Sequence, residues 1–256
     1  PLVVGGSDVW HIGFLYDLCY ANDVLESDPD FIEECYKGEK DFSDANYQKA
    51  VTDLAEVLSF AQDGWASTPD AQITTFFVND MSAMMFSGTH MFSQINDAAP
   101  DFEYGWFAVP DRDGKVNLLG GGTAGGWALS AEAAKDPDKQ AAFDAFCKYF
   151  FSSDVYGAYC EAMAAIPTTV ETPKMNTSEQ FKSVLDALSA ADYTHLMWNQ
   201  EVGNRELPPD FRNFTYKTCI EVAQGSRDVA SASSELQKTW NVALQSFNPT
   251  TGLGVE

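Results

Sequence analysis

The feature that most constrains this chain is a rhythm. Short apolar runs bounded by glycine and proline alternate with longer segments whose apolar residues recur at helical spacing. The runs 1–4, 82–86, 104–110, 116–120 and 126–130 have the compact look of buried strands. Between and after them the helices are well marked. Ser43 is expected to cap a helix carrying Tyr47, Ala50, Val51, Leu54, Val57, Leu58 and Ala61 on one face, with Gly64 as its stop. Asp136-Pro137 opens another, with Ala142, Phe146, Tyr149 and Phe150 on a stripe. A shorter one starts at Ser153 and ends before Ile166-Pro167. Further helices start near Ser178, Phe211 and Ser226, the last carrying Val229, Ala232, Leu236, Trp240 and Phe247. Short strands alternating with longer helices specify an α/β architecture.

The 256 residues suffice for one large domain or two modest ones. The formal net charge of −23 speaks against a nucleic-acid partner, because phosphate binding needs clustered Lys and Arg. Cys19, Cys35, Cys147, Cys160 and Cys219 contain no C-x-x-C pair, and no disulfide is expected from them. His11, His90 and His195 are isolated, so no zinc motif and no metal site is expected. No nucleophile elbow or phosphate-binding lysine loop is present. Gly120, Gly122 and Gly125 formally match G-x-G-x-x-G, but a dinucleotide site would need a helix to open there. The following residues, 126–130, instead read as a strand, and no cofactor is expected.

From Phe76 the order of features becomes specific. "FFVNDMSAMMFSGTHMFSQI", then "YGWFAVPDRDG", then "GGGTAGGWALSAEAAKDPDKQAAFDAFCKYFFSSDVYGAYCEAMAAIPTT" together resemble the family 1 extracellular solute-binding proteins of ABC importers, the maltose-binding-protein-like group. The resemblance covers nearly the whole chain but lacks the family's N-terminal stretch, so the chain reads as a truncated member. It implies a two-lobed, periplasmic-binding-protein type II-like fold with mixed sheets flanked by helices and one lobe incomplete. On that basis 1–106 and 167–256 are expected to form the C-terminal lobe, and 107–166 a remnant of the N-terminal one.

The same resemblance implies the ligand residues. "GGSDVWH" is similar to the stretch that supplies an acid and two aromatics to a sugar, which points to Asp8, Trp10 and His11. "SGTH" is similar to Gly-x-Trp at a helix start and places His90 there. "FRNF" points to Arg212 and Asn213. Two family aromatics thus become His90 and Arg212, which suits a more polar or differently shaped ligand. Sugars present apolar C–H faces and many hydroxyls, so flat aromatics beside charged hydrogen-bond partners suit them. Each residue also has a plainer reading. Trp10 reads equally as a core aromatic, His90 as a helix-start histidine and Arg212 as a salt-bridge partner. Trp65, Trp106, Trp127, Trp198 and Trp240 read as packing residues.

The resemblance implies a non-enzymatic protein that captures a sugar or oligosaccharide, outside the cytoplasm, and presents it to an ABC-transporter permease. A lipid anchor would lie ahead of residue 1. Two other readings stay open: a glycan-acting hydrolase, which needs a carboxylate pair across the scissile bond, and a sensor or adhesin module on the same fold.

Overall fold

The computed structural model describes residues 1–119, 126–169, 171, 173–198 and 200–249. The elements run, in chain order, β1 (Leu2–Val3), α1 (Val9–Tyr20), a π-helical turn (Ala21–Leu25), α2 (Phe31–Lys37), α3 (Ala45–Leu58) and α4 (Asp70–Val78). There follow β2 (Met84–Met85), α5 (Met91–Ala98), β3 (Asn117–Leu119), α6 (Pro137–Phe150), α7 (Ser153–Met163) and α8 (Glu179–Ala190). The order closes with β4 (Tyr193–His195), α9 (Phe211–Ala223) and α10 (Val229–Ala243). Among the described residues the strands form two parallel pairs. In one, β1 meets β2 with Leu2 opposite Met84; in the other, β3 meets β4 with Leu118 opposite Thr194.

The chain divides into two compact units. Unit 1 comprises 1–87, 108–122 and 191–256; unit 2 comprises 88–107 and 123–190. These borders differ from those of the 1–106, 107–166 and 167–256 segments drawn from sequence.

The core of unit 1 is strongly aromatic. Tyr16, Tyr20, Phe31, Phe42, Tyr47, Trp198, Phe211 and Trp240 are all buried in it, most of them edge-on to one another. Edge-to-face rings bring the positive rim of one to the negative face of the next, which adds to the burial term. Trp198 and Trp240 are packing residues, as expected. Helix α3 anchors this core through Tyr47, Ala50, Val51, Leu54 and Leu58. Its cap is Asp44 rather than the expected Ser43: the Asp44 carboxylate accepts from the backbone N–H groups of Asn46 and Tyr47 at 2.9 and 3.4 Å. A charged acceptor at a helix start also meets the positive end of the helix dipole. Ser43 bonds Asp41 instead. The helix ends at Leu58, and Gly64, at φ +75°, opens the next short turn rather than closing α3.

Helix α1 was not marked by any periodicity. Nine of its residues, His11 to Tyr20 apart from Phe14, are buried, so it has no polar face to reveal a helical period. Two expected strands are not found among the described residues. Neither 104–109 nor 126–130 belongs to a sheet among the described residues, although Pro110 bridges Val116. The glycines at 120, 122 and 125 lie outside the described residues. Downstream of them Gly126–Ser130 is irregular, and the next α-helix opens at Pro137.

Candidate functional site

Three of the candidate residues sit on one clamped turn of unit 1. Between β1 and α1 the backbone is tied down at each step. Val4 exchanges hydrogen bonds with the Gln62 side chain, donating to Oε1 at 3.1 Å and accepting from Nε2 at 2.8 Å. The Gly6 N–H donates to the Trp65 carbonyl at 2.9 Å, and the Ser7 N–H to that of Thr68 at 3.1 Å. The two glycines are needed for closeness. A Cβ on Gly5 would lie 2.6 Å from the Asp70 Cα, and one on Gly6 would lie 2.4 Å from the Trp65 ring.

From this turn Asp8 leads into α1. Its carboxylate does not cap its own helix; it accepts the backbone N–H of Asp70 at 2.7 Å, at the start of α4. Asp70 in turn places Oδ1 2.7 Å from Nδ1 of the buried His11. Asp8, Asp70 and His11 therefore lock the start of α1 to the start of α4. Trp10 is the most exposed of the group, Asp8 and Asp70 being half-buried and His11 buried. It is 38% exposed and rests edge-on against Phe14 and His11, with centroids 5.2 and 5.6 Å away. A flat, rigidly seated indole beside polar groups can offer stacking area with little loss of rotamer freedom.

Arg212 and Asn213 lie on α9, which packs on α1. The crossing is close at Gly13, where a Cβ would fall 2.2 Å from the Tyr216 ring. Arg212 stands one turn before Tyr216, its guanidinium 5.9 Å from that ring's centroid, and Asn213 is exposed. His90 belongs to unit 2. It occupies the N-cap position of α5, with its carbonyl accepting from the Ser93 hydroxyl at 3.2 Å. The structure thus groups Asp8, Trp10 and His11 on one turn and sets Arg212 and Asn213 on the neighbouring helix.

Sequence reasoning missed Asp17, a buried carboxylate between α1 and α9. Its two oxygens accept the Tyr216 hydroxyl at 2.9 and 3.0 Å, and Oδ2 also accepts the Trp198 N–H at 3.2 Å. Burial outweighs these bonds and pushes its pKa up to about 7. One acid in an acidic chain carries no signal of its own; only the apolar residues around it, in "FLYDLCY", hint that it is buried. Trp127 was also misread: it is 52% exposed rather than packed away. The described residues hold no cluster of His, Cys, Asp and Glu able to bind a metal.

Residues 10–184 match the profile of a family described as bacterial extracellular solute-binding protein. The chain belongs to that family. Its place is therefore extracytoplasmic, and no helix among the described residues is long and apolar enough to cross a membrane. No curated protein matches the sequence. Solved structures do match in fold. One is a chitin oligosaccharide binding protein, with a TM-score of 0.75, 18% identity, and coverage of 95% of this chain and 60% of that one. Another is a sugar transporter from Bacillus licheniformis in complex with stachyose, at TM-score 0.71 and 13% identity, covering 95% and 61%. A third, the solute-binding protein RafE in complex with raffinose, has a TM-score of 0.66 and 17% identity, covering 95% and 61%. This likeness establishes the α/β, type II solute-binding fold. The chain spans about 60% of the length of the solved relatives it matches.

Proposed function

We propose that this solute-binding protein captures a sugar or oligosaccharide and delivers it to an ABC-transporter permease, with no catalytic step. The observation that carries the reading is Trp10, a solvent-reaching indole fixed on a turn that also holds Asp8 and His11. In this reading Trp10 stacks on a sugar ring, and Asp8 and His11 hold the turn through Asp70. Arg212 and Asn213 contribute hydrogen bonds from α9, and His90, at the start of α5, is the remaining ligand residue that the resemblance implies. The relatives solved with stachyose and raffinose support the ligand class. In this reading 1–106 and 167–256 make up the C-terminal lobe, and 107–166 is a remnant of the N-terminal lobe. A lipid anchor ahead of residue 1 would hold the protein at the cell surface.

The test is calorimetric titration of the native gene product with chitin oligosaccharides, raffinose and stachyose. Saturable heat with one of them, and no release of shorter sugars on long incubation, is the expected result. Cleavage of the bound sugar would replace this reading with a hydrolase. A folded protein that gives no heat with any of the three would remove the sugar assignment.

A further inference from the structure

In a chain with 38 acids and 15 Lys and Arg, a cation that meets no carboxylate is the unexpected case. Three of the four arginines meet one. Arg112 reaches Asp53 and Glu56, Arg205 reaches Asp30, and Arg227 reaches Glu221, each with an N···O distance of 2.9 Å or less. Arg212 is the exception. Among the described residues it makes no ion pair, and its guanidinium lies 5.9 Å from the centroid of the Tyr216 ring. Lys148, Lys182 and Lys217 also lack a pair among the described residues, but these three are exposed, whereas Arg212 is half-buried. Water solvates an exposed ammonium. A half-buried guanidinium has given up part of its hydration and gains most from an anionic partner.

The acids of the neighbourhood do not fill that role. Asp17 feels the Arg212 charge, yet its two oxygens are turned to the Tyr216 hydroxyl and the Trp198 N–H. The cation that acts on Glu201 is Arg205. The first turn of α9 holds no acid. The fork of Arg212, whose parallel N–H donors match the two oxygens of a carboxylate, is therefore left for a ligand. Its position is held from below: Tyr216, one turn on, is packed against Gly13 and bonded to Asp17.

We propose that the ligand is an acidic sugar, its carboxylate held by the guanidinium of Arg212. This rests on the sugar reading above and names the class within it. Charge favours a carboxylate over a phosphate. Arg212 offers one positive charge, and a phosphate dianion would leave an excess negative charge near Asp17 and Glu201. The net charge of −23 does not bar such a ligand, because at about 0.15 M salt distant charges are screened beyond about 8 Å, while a contact with Arg212 is not.

Calorimetric titration of the native gene product with matched pairs tests the proposal. The pairs are raffinose, stachyose and a chitin oligosaccharide, each beside the same sugar with one terminal C6 alcohol oxidised to a carboxylate. In at least one pair the acidic member should bind roughly 10-fold or more tighter than its neutral parent, the worth of a charge-assisted hydrogen bond. Arg212→Gln should erase the difference within that pair, and Arg212→Lys, which keeps the charge but not the fork, should retain part of it. Equal affinities within every pair, or tighter binding of the neutral parents, overturn the acidic class and leave the sugar reading standing. A preference that survives Arg212→Gln overturns the assignment to Arg212. Tighter binding of the matched C6 phosphate than of the carboxylate overturns the choice of anion. If no member of any pair binds, the sugar reading and the acidic class fall together.

Discussion

At the scale of single residues, two side chains do unlike work. Trp10 offers area to solvent, and Trp10→Ala should weaken sugar binding by about 1–3 kcal/mol, the scale of one lost aromatic contact. Calorimetry on the variant with unchanged thermal stability would read this directly, and an unchanged affinity would take Trp10 out of the site. Asp17 is the opposite case, a carboxylate kept from water. The groups facing it are Tyr216 and Trp198 as donors, the Arg212 charge, which favours ionisation, and Glu201, which opposes it. Because the folded chain holds this proton more tightly than the unfolded one, its contribution to stability is complete below about pH 4. It is lost as pH rises through about 7. A shift of that size corresponds to about 4 kcal/mol across the window. Denaturant unfolding of wild type should therefore lose more stability between pH 5 and 8 than Asp17→Asn does, as an order-of-magnitude contrast. Parallel pH profiles for the two proteins would show that Asp17 does not titrate in the fold.

At the scale of elements, close approaches and caps decide which helices stand where. Gly13 lets α1 lie against the Tyr216 ring, and Gly13→Ala would drive a methyl into it. The ring belongs to a buried, doubly bonded Tyr, so it cannot swing away cheaply. The expected cost is about 1–3 kcal/mol of stability, as for other overpacked contacts. Asp44→Ala, by contrast, should cost about 1 kcal/mol, the usual loss for a missing N-cap, measured as a fall in the denaturation midpoint. Helices with one wet face, such as α3 and α10, were legible because their buried residues recur with the helical period. Helix α1 was not, since burial on all sides erases the period. The three-residue strand β4 was too short to stand out. For 126–130 the sequence carries the strand signal, but among the described residues the structure gives it no ladder. The turn of Asp8, Trp10 and His11 came from resemblance rather than pattern; nothing in the spacing shows that Asp70 would reach across to hold it.

At the scale of the whole molecule, the charge dominates. With 38 acids against 15 Lys and Arg, most carboxylates have no cation to meet. Many of the cations are already engaged, among them Lys40 with Asp28 and Asp44, Lys49 with Asp23 and Asp53, and Arg112 with Asp53 and Glu56. Pairs at such exposed sites contribute little, about 0–1 kcal/mol each, and salt weakens them only modestly. The unmatched acids act differently. In the folded chain they are held within a compact volume and repel one another, whereas the unfolded chain spreads them apart. At roughly 0.01 M salt the screening length is about 30 Å, comparable with a domain, and near 0.1 M it falls to about 10 Å. Salt should therefore relieve repulsion more than it weakens pairing. Raising sodium chloride from about 10 to 150 mM is expected to lift Tm by a few degrees, since about 1 kcal/mol corresponds to some 2–4 °C for a chain of this size. Chloride is the right anion for the experiment, because sulfate would also strengthen burial by exclusion from the surface. A Tm that falls with sodium chloride would mean that the ion pairs outweigh the repulsion, and that the acidic surface is better compensated than its charge implies.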